Sequence, residues 1–264
     1  MSINDKIEKY WKGRVLFSWG KYEEMRKLRY DINHYMHNFY PFKSSRGKNI
    51  LEIGCGGGID SLEYLRNGGN VWATDFTDES VEYLSGRVKR NDFKNIKVEK
   101  VDVKDIPYED NFFDVVHIYG ILHHITNVDN GVREILRVLK PGGSVYAMFY
   151  NKNSLLYYHS IMYLRGVVEG EFEKGLTEED LVSKYSEAQH GCPYTKIYTE
   201  DSVQKLFLEN GFGKVETQID SPHIDTMETR KVEIKNLPKN LGWHISTKAT
   251  KGYSPIFQEI DNSK

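Results

Sequence analysis

The stretch Ile50-Leu51-Glu52-Ile53-Gly54-Cys55-Gly56-Gly57-Gly58-Ile59-Asp60 decides how the rest of the chain is read. An apolar run at 49–53 has the character of a buried strand. It stops in glycines, which let the backbone turn tightly and approach a ligand closely. A helix from Asp60 to Arg66 follows, so its N-terminus, with unpaired N–H groups, points at whatever the loop holds. A dinucleotide fingerprint starting at Gly54 needs a sixth-position glycine, and Ile59 stands there. A phosphate-binding P-loop needs Gly-Lys-Ser/Thr, which is absent.

Outward from this loop, short apolar strands alternate with helices. The pattern predicts strands at 70–75, 97–101, 112–119 and 144–150, and helices at 78–89 and 131–139. Thr77 is placed to cap the first of those helices, and Pro141-Gly142-Gly143 forms a sharp turn. This alternation argues for a parallel sheet covered on both faces. On the N-terminal side, 21–39 reads as one amphipathic helix, with Tyr22, Met25, Leu28, Ile32, Tyr35, Met36 and Phe39 along one face. On the C-terminal side, 151–198 is a long insertion with helices near 154–166 and 177–184. Thr199 caps a helix over 200–210, and Gly211 ends it. Strands are expected at 212–219 and 243–249, with a short helix around 229–236. The resulting division is an N-terminal helical cap (1–46), a core (47–150), a cap insertion (151–198) and the remainder of the sheet (199–264).

Asp75 closes the second strand, and Asp102 follows the third. An ionised carboxylate is acceptor-only, so Asp75 suits a ribose diol, taking both of its hydroxyls. Asp102 and neighbouring backbone suit an adenine edge. Each acid alone is equally well a helix cap or a solvated turn; the order of glycine loop, Asp75 and Asp102 on successive strand–helix units is the informative feature.

These residues resemble the class I S-adenosylmethionine-dependent methyltransferases. Glu52-Ile53-Gly54-Cys55-Gly56-Gly57-Gly58 is similar to the first motif of that family, Ala73-Thr74-Asp75-Phe76-Thr77 to the acidic second-strand motif, and Val101-Asp102-Val103 to the adenine motif. Phe113-Asp114-Val115-Val116, Leu122-His123-His124 and Arg137-Val138-Leu139-Lys140-Pro141-Gly142-Gly143 extend the likeness across about 48–150. The resemblance implies a Rossmann-like α/β fold with a seven-stranded, mostly parallel sheet in the order 3-2-1-4-5-7-6, strand seven antiparallel. It implies S-adenosylmethionine as cofactor and S-adenosylhomocysteine as product. Carried over residue by residue, Gly54, Cys55 and Gly56 approach the methionine part, and Glu52 holds their loop. Asp75 binds the ribose, Phe76 packs on the adenine, and Asp102 and Val103 read its edge. Tyr119 and Gly120 face the sulfonium. Asp60 departs from the small or apolar residue expected there. Tyr22, Arg26, Arg29 and Tyr30 resemble a helix that closes over the cofactor in some members; Tyr22 and Arg29 are the cofactor contacts taken from it.

The acceptor is expected beyond strand four. His123, His124 and Tyr119 are the catalytic candidates, since a histidine titrating near neutrality can take the acceptor's proton. His123 is favoured over His124 because the chain turns at the second; the plain alternative is that both only pack. Tyr150, Asn151, His190 and Tyr194 are the candidate acceptor contacts. The polar loop from Glu187 to Lys196 either returns over the cofactor or lies on the surface. His123, His124 and His190 have no carboxylate at fitting spacing, so no metal is expected.

The composition bounds the partners. Lys plus Arg is 36 and Asp plus Glu is 38, a net charge of −2, which gives no electrostatic case for nucleic acid. A mean hydropathy of −0.59 and no long apolar run argue against a membrane partner. Two cysteines, Cys55 and Cys192, cannot build a disulfide framework, and the N-terminal segment lacks a signal-peptide core. A cytoplasmic enzyme acting on a small molecule or a short peptide is expected, with O- or N-methylation as the reaction. A modifier of protein side chains and a non-catalytic cofactor-binding protein are the alternatives. Of the 34 aromatic residues, ten crowd the N-terminal region from Tyr10 to Phe42, where they serve as core or as a lid over a flat ligand.

Overall fold

The computed structural model describes residues 1–15, 21–187, 190–221, 223–226, 230–233 and 238–253. Its centre is a seven-stranded sheet. Strands β1 (Asn49–Ile53), β2 (Asn70–Asp75), β3 (Ile96–Lys100), β4 (Phe113–Tyr119) and β5 (Leu139–Tyr150) run parallel. Strand β6 (Lys214–Asp220) lies at the edge. A separate hairpin of β7 (His223–Thr226) and β8 (Arg230–Glu233) precedes β9 (His244–Thr250), which inserts antiparallel between β5 and β6. The order is β3-β2-β1-β4-β5-β9-β6. Counting only the seven strands of this sheet, that is 3-2-1-4-5-7-6 with the seventh antiparallel, as expected.

The central strand β1 is apolar on both faces because helices cover both. Ile50, Leu51 and Ile53 are all buried. Helices α1 (Ile3–Trp11), α2 (Tyr22–Ile32), α3 (Met36–Phe39), α4 (Ile59–Arg66), α5 (Asp78–Arg90), α6 (Val128–Val138), α7 (Glu178–Tyr185) and α8 (Glu200–Glu209) surround the sheet. Between α6 and α7 runs a wider, π-type helix, Leu156–Val168. One core joins Leu51, Ile118 and Phe149 of the sheet to Val132 of α6 and Phe207 of α8. On the opposite face, Met36, Phe42 and Tyr64 pack with Ile50 and Val71. A third, smaller core holds the cap: Tyr157, Ile161, Leu181 and Val182 close on Tyr150 and Trp243.

Several local expectations change. The amphipathic run 21–39 is two helices, because Asn33 ends α2: its Nδ2 donates to the Arg29 carbonyl and satisfies an open helix terminus. The break lets Tyr35 turn toward Tyr119. Thr77 stands at the N-cap of α5 but makes no side-chain cap; its hydroxyl donates to Asp75 instead. The turn at 141–143 lies within β5 as a register irregularity opposite Phe113–Val115. The helix anticipated around 229–236 is strand β8 over Arg230–Glu233, while 229 and 234–236 lie outside the described residues. Among the described residues no helix is long and apolar enough to cross a membrane.

The cap is tied to the sheet at one corner. Tyr198 N donates to Tyr150 O, Asn151 N donates to Trp243 O, and Asn151 Nδ2 donates to Gly242 O at 2.8 Å. A side chain at Gly242 would collide with the Asp220 carbonyl, a backbone atom that cannot step aside. Gly242→Ala is therefore expected to lower stability by about 1–3 kcal/mol, the usual cost of forcing atoms into a packed site. Chemical denaturation of the variant checks this; an unchanged midpoint would show that the corner yields.

Candidate active site

The glycine loop turns as its composition demands. Gly54 has φ +80°, and a side chain there would strike Ile121. Gly54 N and Cys55 N both donate to the Thr74 carbonyl, which fixes the loop to β2. Asp75 then reaches across: its Oδ2 accepts from Gly56 N at 3.0 Å, and its Oδ1 accepts from Thr77 N at 3.0 Å and Thr77 Oγ1 at 2.8 Å. Glu52, buried beneath the loop, accepts from Ser61 Oγ. Burial and the neighbouring Asp60 push its carboxyl well above the usual range. Burial also pushes the Cys55 thiol up, which disfavours the thiolate.

Above this loop lies a cavity of about 310 Å³, within the range of small-ligand sites. Glu52, Gly54, Cys55, Gly56, Asp75, Phe76, Asp102, Val103, Tyr119, Gly120 and Arg29 line it, as do His124 and Tyr150. Five expected contacts do not. Tyr22 packs outside, under the guanidinium groups of Arg66 and Arg87 at 5.0 and 5.2 Å. Asn151 spends its side chain on the cap corner. His190 is exposed beside Tyr185, and Tyr194 lines a shallow surface depression. His123 is fully buried behind the wall, its ring 4.0 Å from that of Tyr150. The favoured order of the two histidines is thus reversed: His124 faces the cavity.

Of the N-terminal residues, Arg26 and Tyr30 bind α4 rather than the cavity. Arg26 pairs with Glu63, and Tyr30 OH donates to Asp60 Oδ1 at 2.9 Å. Arg29 does both. Its Nη2 meets Asp60 Oδ2 at 2.7 Å, and its guanidinium stacks 4.2 Å over the Tyr119 ring. The unusual acid at position 60 is thereby explained as the buried counter-charge of Arg29. Tyr119 OH meets Tyr35 OH at 2.6 Å and donates to Asn33 Oδ1 at 3.2 Å. Burial raises its pKa to about 12.

Two further groups line the cavity: one was not singled out from the sequence, and the other lies in the 187–196 loop expected to return over the cofactor. The first is α1, whose Ile7 and Trp11 close the cavity together with Asn4 and Glu8; Trp11 lies edge-on to His124 at 5.2 Å, and Thr126 Oγ1 donates to Asn4 Oδ1. The capping box of Ser2 and Asp5 was the legible sign of that helix. The second is Glu187. Its Oε1 accepts from Tyr150 OH at 2.7 Å and lies 3.3 Å from His124 Nε2. On the other side of the ring, His124 Nδ1 donates to the Tyr194 carbonyl at 3.0 Å. Burial opposes charge on His124, but its contacts with Cys192 and Glu187 outweigh that and raise its pKa to about 10. Burial pushes His123 the other way, well below its ordinary value.

Comparison with known proteins agrees with this geometry. Residues 51–147 match the model of a methyltransferase domain. A demethylmenaquinone methyltransferase from Lactococcus lactis is 31% identical over 183 residues, covering 65% of this chain and 68% of the relative. A ubiquinone biosynthesis O-methyltransferase from Neisseria meningitidis is 31% identical over 147 residues, covering 54% of this chain and 61% of the relative. Among solved structures, an S-adenosylmethionine-dependent methyltransferase from Methanosarcina mazei superposes with TM-score 0.57 at 18% identity, covering 83% of this chain and 97% of that one. A protein from Pyrococcus horikoshii gives 0.59 at 16% identity, covering 92% and 98%. These last two speak for the fold alone. Sheet order, glycine loop and relatives together define an enzyme that uses S-adenosylmethionine. The chain belongs to the class I S-adenosylmethionine-dependent methyltransferases.

Proposed function

We propose that this enzyme moves the methyl group of S-adenosylmethionine to an oxygen or nitrogen of a small, flat acceptor. The observation that carries the reading is the Glu187 carboxylate. It stands between Tyr150 and His124 on the wall of the same cavity that the glycine loop and Asp75 floor. In this reading the cofactor's ribose bonds Asp75, its adenine lies between Phe76 and the Asp102–Val103 turn, and its methionine part follows Gly54–Gly56. Arg29 supplies positive charge toward the methionine carboxylate. The sulfonium points past Tyr119 and Gly120 toward Met148 and Tyr150.

The acceptor occupies the space under Ile7 and Trp11. Ile7 and Trp11 overhead with the Glu187 carboxylate beside Tyr150 and His124 suit an aromatic ring carrying an ionisable O–H or N–H. Catalysis consists mainly of holding that atom about 3 Å from the methyl group in line with the C–S bond. The relative named for O-methylation in ubiquinone biosynthesis supports transfer to oxygen of a flat acceptor, while the one named for demethylmenaquinone supports the flat acceptor alone. A ceiling helix across the opening favours a free small molecule over a protein side chain.

Calorimetric titration with S-adenosylhomocysteine, followed by transfer of labelled methyl to hydroxylated and amino-substituted aromatics, tests this. Micromolar binding and labelling of a subset of those aromatics are expected, with none of NAD bound. Labelling of peptides and of no free aromatic would overturn the acceptor assignment.

A further inference from the structure

We propose that His123, His124 and Glu187 bind a divalent transition-metal ion of the zinc, iron or cobalt kind, whose remaining coordination position opens toward the acceptor. The proposal rests on the methyl-transfer reading above for what the ion does, and on the side chains alone for its existence.

One donor atom from each of the three residues lies within 4.8 Å of the others. His124 Nε2 and Glu187 Oε1 are 3.3 Å apart. Two ligands at about 2.1 Å from one tetrahedral ion stand about 3.4 Å from each other, so this pair needs no rearrangement. His123 is fully buried with only a backbone contact to Met148, and the polar side-chain neighbour of His124 Nε2 is Glu187 Oε1 at 3.3 Å. Each ring keeps a nitrogen able to ligate, and an ion between the two rings and the carboxylate would join all three donors.

The surroundings have the form that metal ligands require. A ligating histidine is held by donating its second ring N–H to a carbonyl, and a ligating carboxylate by an outer hydrogen bond. His124 Nδ1 donates to Tyr194 O at 3.0 Å, which turns Nε2 toward Glu187; a bound ion would displace the Nε2 proton that the Glu187 and Cys192 contacts favour. Glu187 Oε1 accepts from Tyr150 OH at 2.7 Å. His124 and Glu187 line the cavity while His123 closes the rear, which leaves one side of the set open. Two imidazoles and a carboxylate select zinc, iron or cobalt over magnesium or calcium, which prefer all-oxygen sites. The other buried cluster, Glu52, Asp60 and His117, is a poorer host, because Asp60 is already engaged by Arg29 and Tyr30.

An ion here would bind the acceptor's hydroxyl oxygen and favour loss of its proton to water. The oxygen then forms the O–CH3 bond as the S–CH3 bond breaks. The electron pair stays on sulfur and S-adenosylhomocysteine leaves.

The test is titration of the untagged full chain, stripped by a chelator, with cobalt(II). Stoichiometric uptake at micromolar concentration is expected, with the visible absorption of low-coordinate cobalt. His123→Gln and Glu187→Gln are each expected to weaken it about tenfold or more. Glu187→Gln is isosteric and at the cavity wall, so it keeps the test open should His123→Gln fail to fold. Absence of stoichiometric uptake overturns the proposal, as does uptake that survives Glu187→Gln unchanged. S-adenosylhomocysteine binding is followed on the same samples. Its retention by the metal-free chain shows that the fold is intact; its absence from the wild type overturns the methyl-transfer reading and leaves the cobalt result to be judged alone.

Discussion

Asp60→Ala is expected to destabilise the enzyme by about 3–5 kcal/mol, the cost of leaving one member of a buried ion pair without its partner. That is a large share of the stability of an ordinary domain. Arg29 is 8% exposed and Asp60 6%, so solvent screens the pair little. Removing the carboxylate strands the guanidinium, and with it the contact of Tyr30 OH and the 3.4 Å contact of His117 Nε2. The Tyr119 ring remains under Arg29 and offsets only part of the loss. Asp60→Asn keeps the shape and one acceptor, and should fall between wild type and alanine. The acid limb gives a second check. Burial by itself would raise the Asp60 pKa, but the Arg29 charge and the His117 contact outweigh it and hold the carboxyl well below the usual range. A group whose folded pKa is lowered stabilises above its unfolded value and loses that contribution as the pH falls through the folded one. The gap between wild type and Asp60→Ala should therefore hold from neutral pH down to about pH 4 and close below it. Denaturant midpoints across that range measure it. A loss under about 1 kcal/mol, the value of an exposed pair, would sink the assignment.

The same pair shows where reading the sequence succeeds and where it stops. The strands, the glycine loop and the order of Asp75 and Asp102 were legible, because each depends on neighbours within a few residues and on periodicity. Asp60 was visible as an oddity but not as a partner of Arg29, since the two are 31 positions apart and nothing local couples them. Glu187 was one polar residue in a loop; only folding sets it against His124. The order of His123 and His124 failed for a subtler reason. Leu122–His124 is a 3-10 turn, in which successive side chains point about 120° apart. Which of two adjacent histidines faces the cavity is decided by the phase of that turn, and no pattern in the sequence records it. The break of the N-terminal helix at Asn33 is similar: asparagine is tolerated in helices, and here its tertiary bond from Tyr119 joins the local cap.

Asp75→Ala is expected to weaken S-adenosylhomocysteine binding by about 10- to 100-fold, because a hydrogen bond to an ionised group contributes about 1.5–3 kcal/mol and each 1.4 kcal/mol is a factor of ten. The structure corrects the expectation that this carboxylate takes both ribose hydroxyls: it has room for one. An ionised carboxylate has about four acceptor sites. Gly56 N uses one, and Thr77 N and Oγ1 use two more, so a single site on Oδ2 is left for the ribose. Asp75 pins the glycine loop, and under the proposed function it would also bond the ligand that the loop receives. This predicts an unusual ranking. Asp75→Asn, normally the mild substitution, must turn an amide NH2 toward Gly56 N–H or Thr77 N–H, both of them donors. It should bind about as poorly as alanine. Thr77→Val removes one competitor for Oδ1 and leaves the loop contact intact, so it should bind close to wild type. Calorimetric Kd values for the three variants, with thermal midpoints as the control for folding, decide the matter. If Asp75→Asn binds like wild type, the carboxylate is not engaged by the loop as drawn; if Asp75→Ala does, Asp75 is not the ribose ligand.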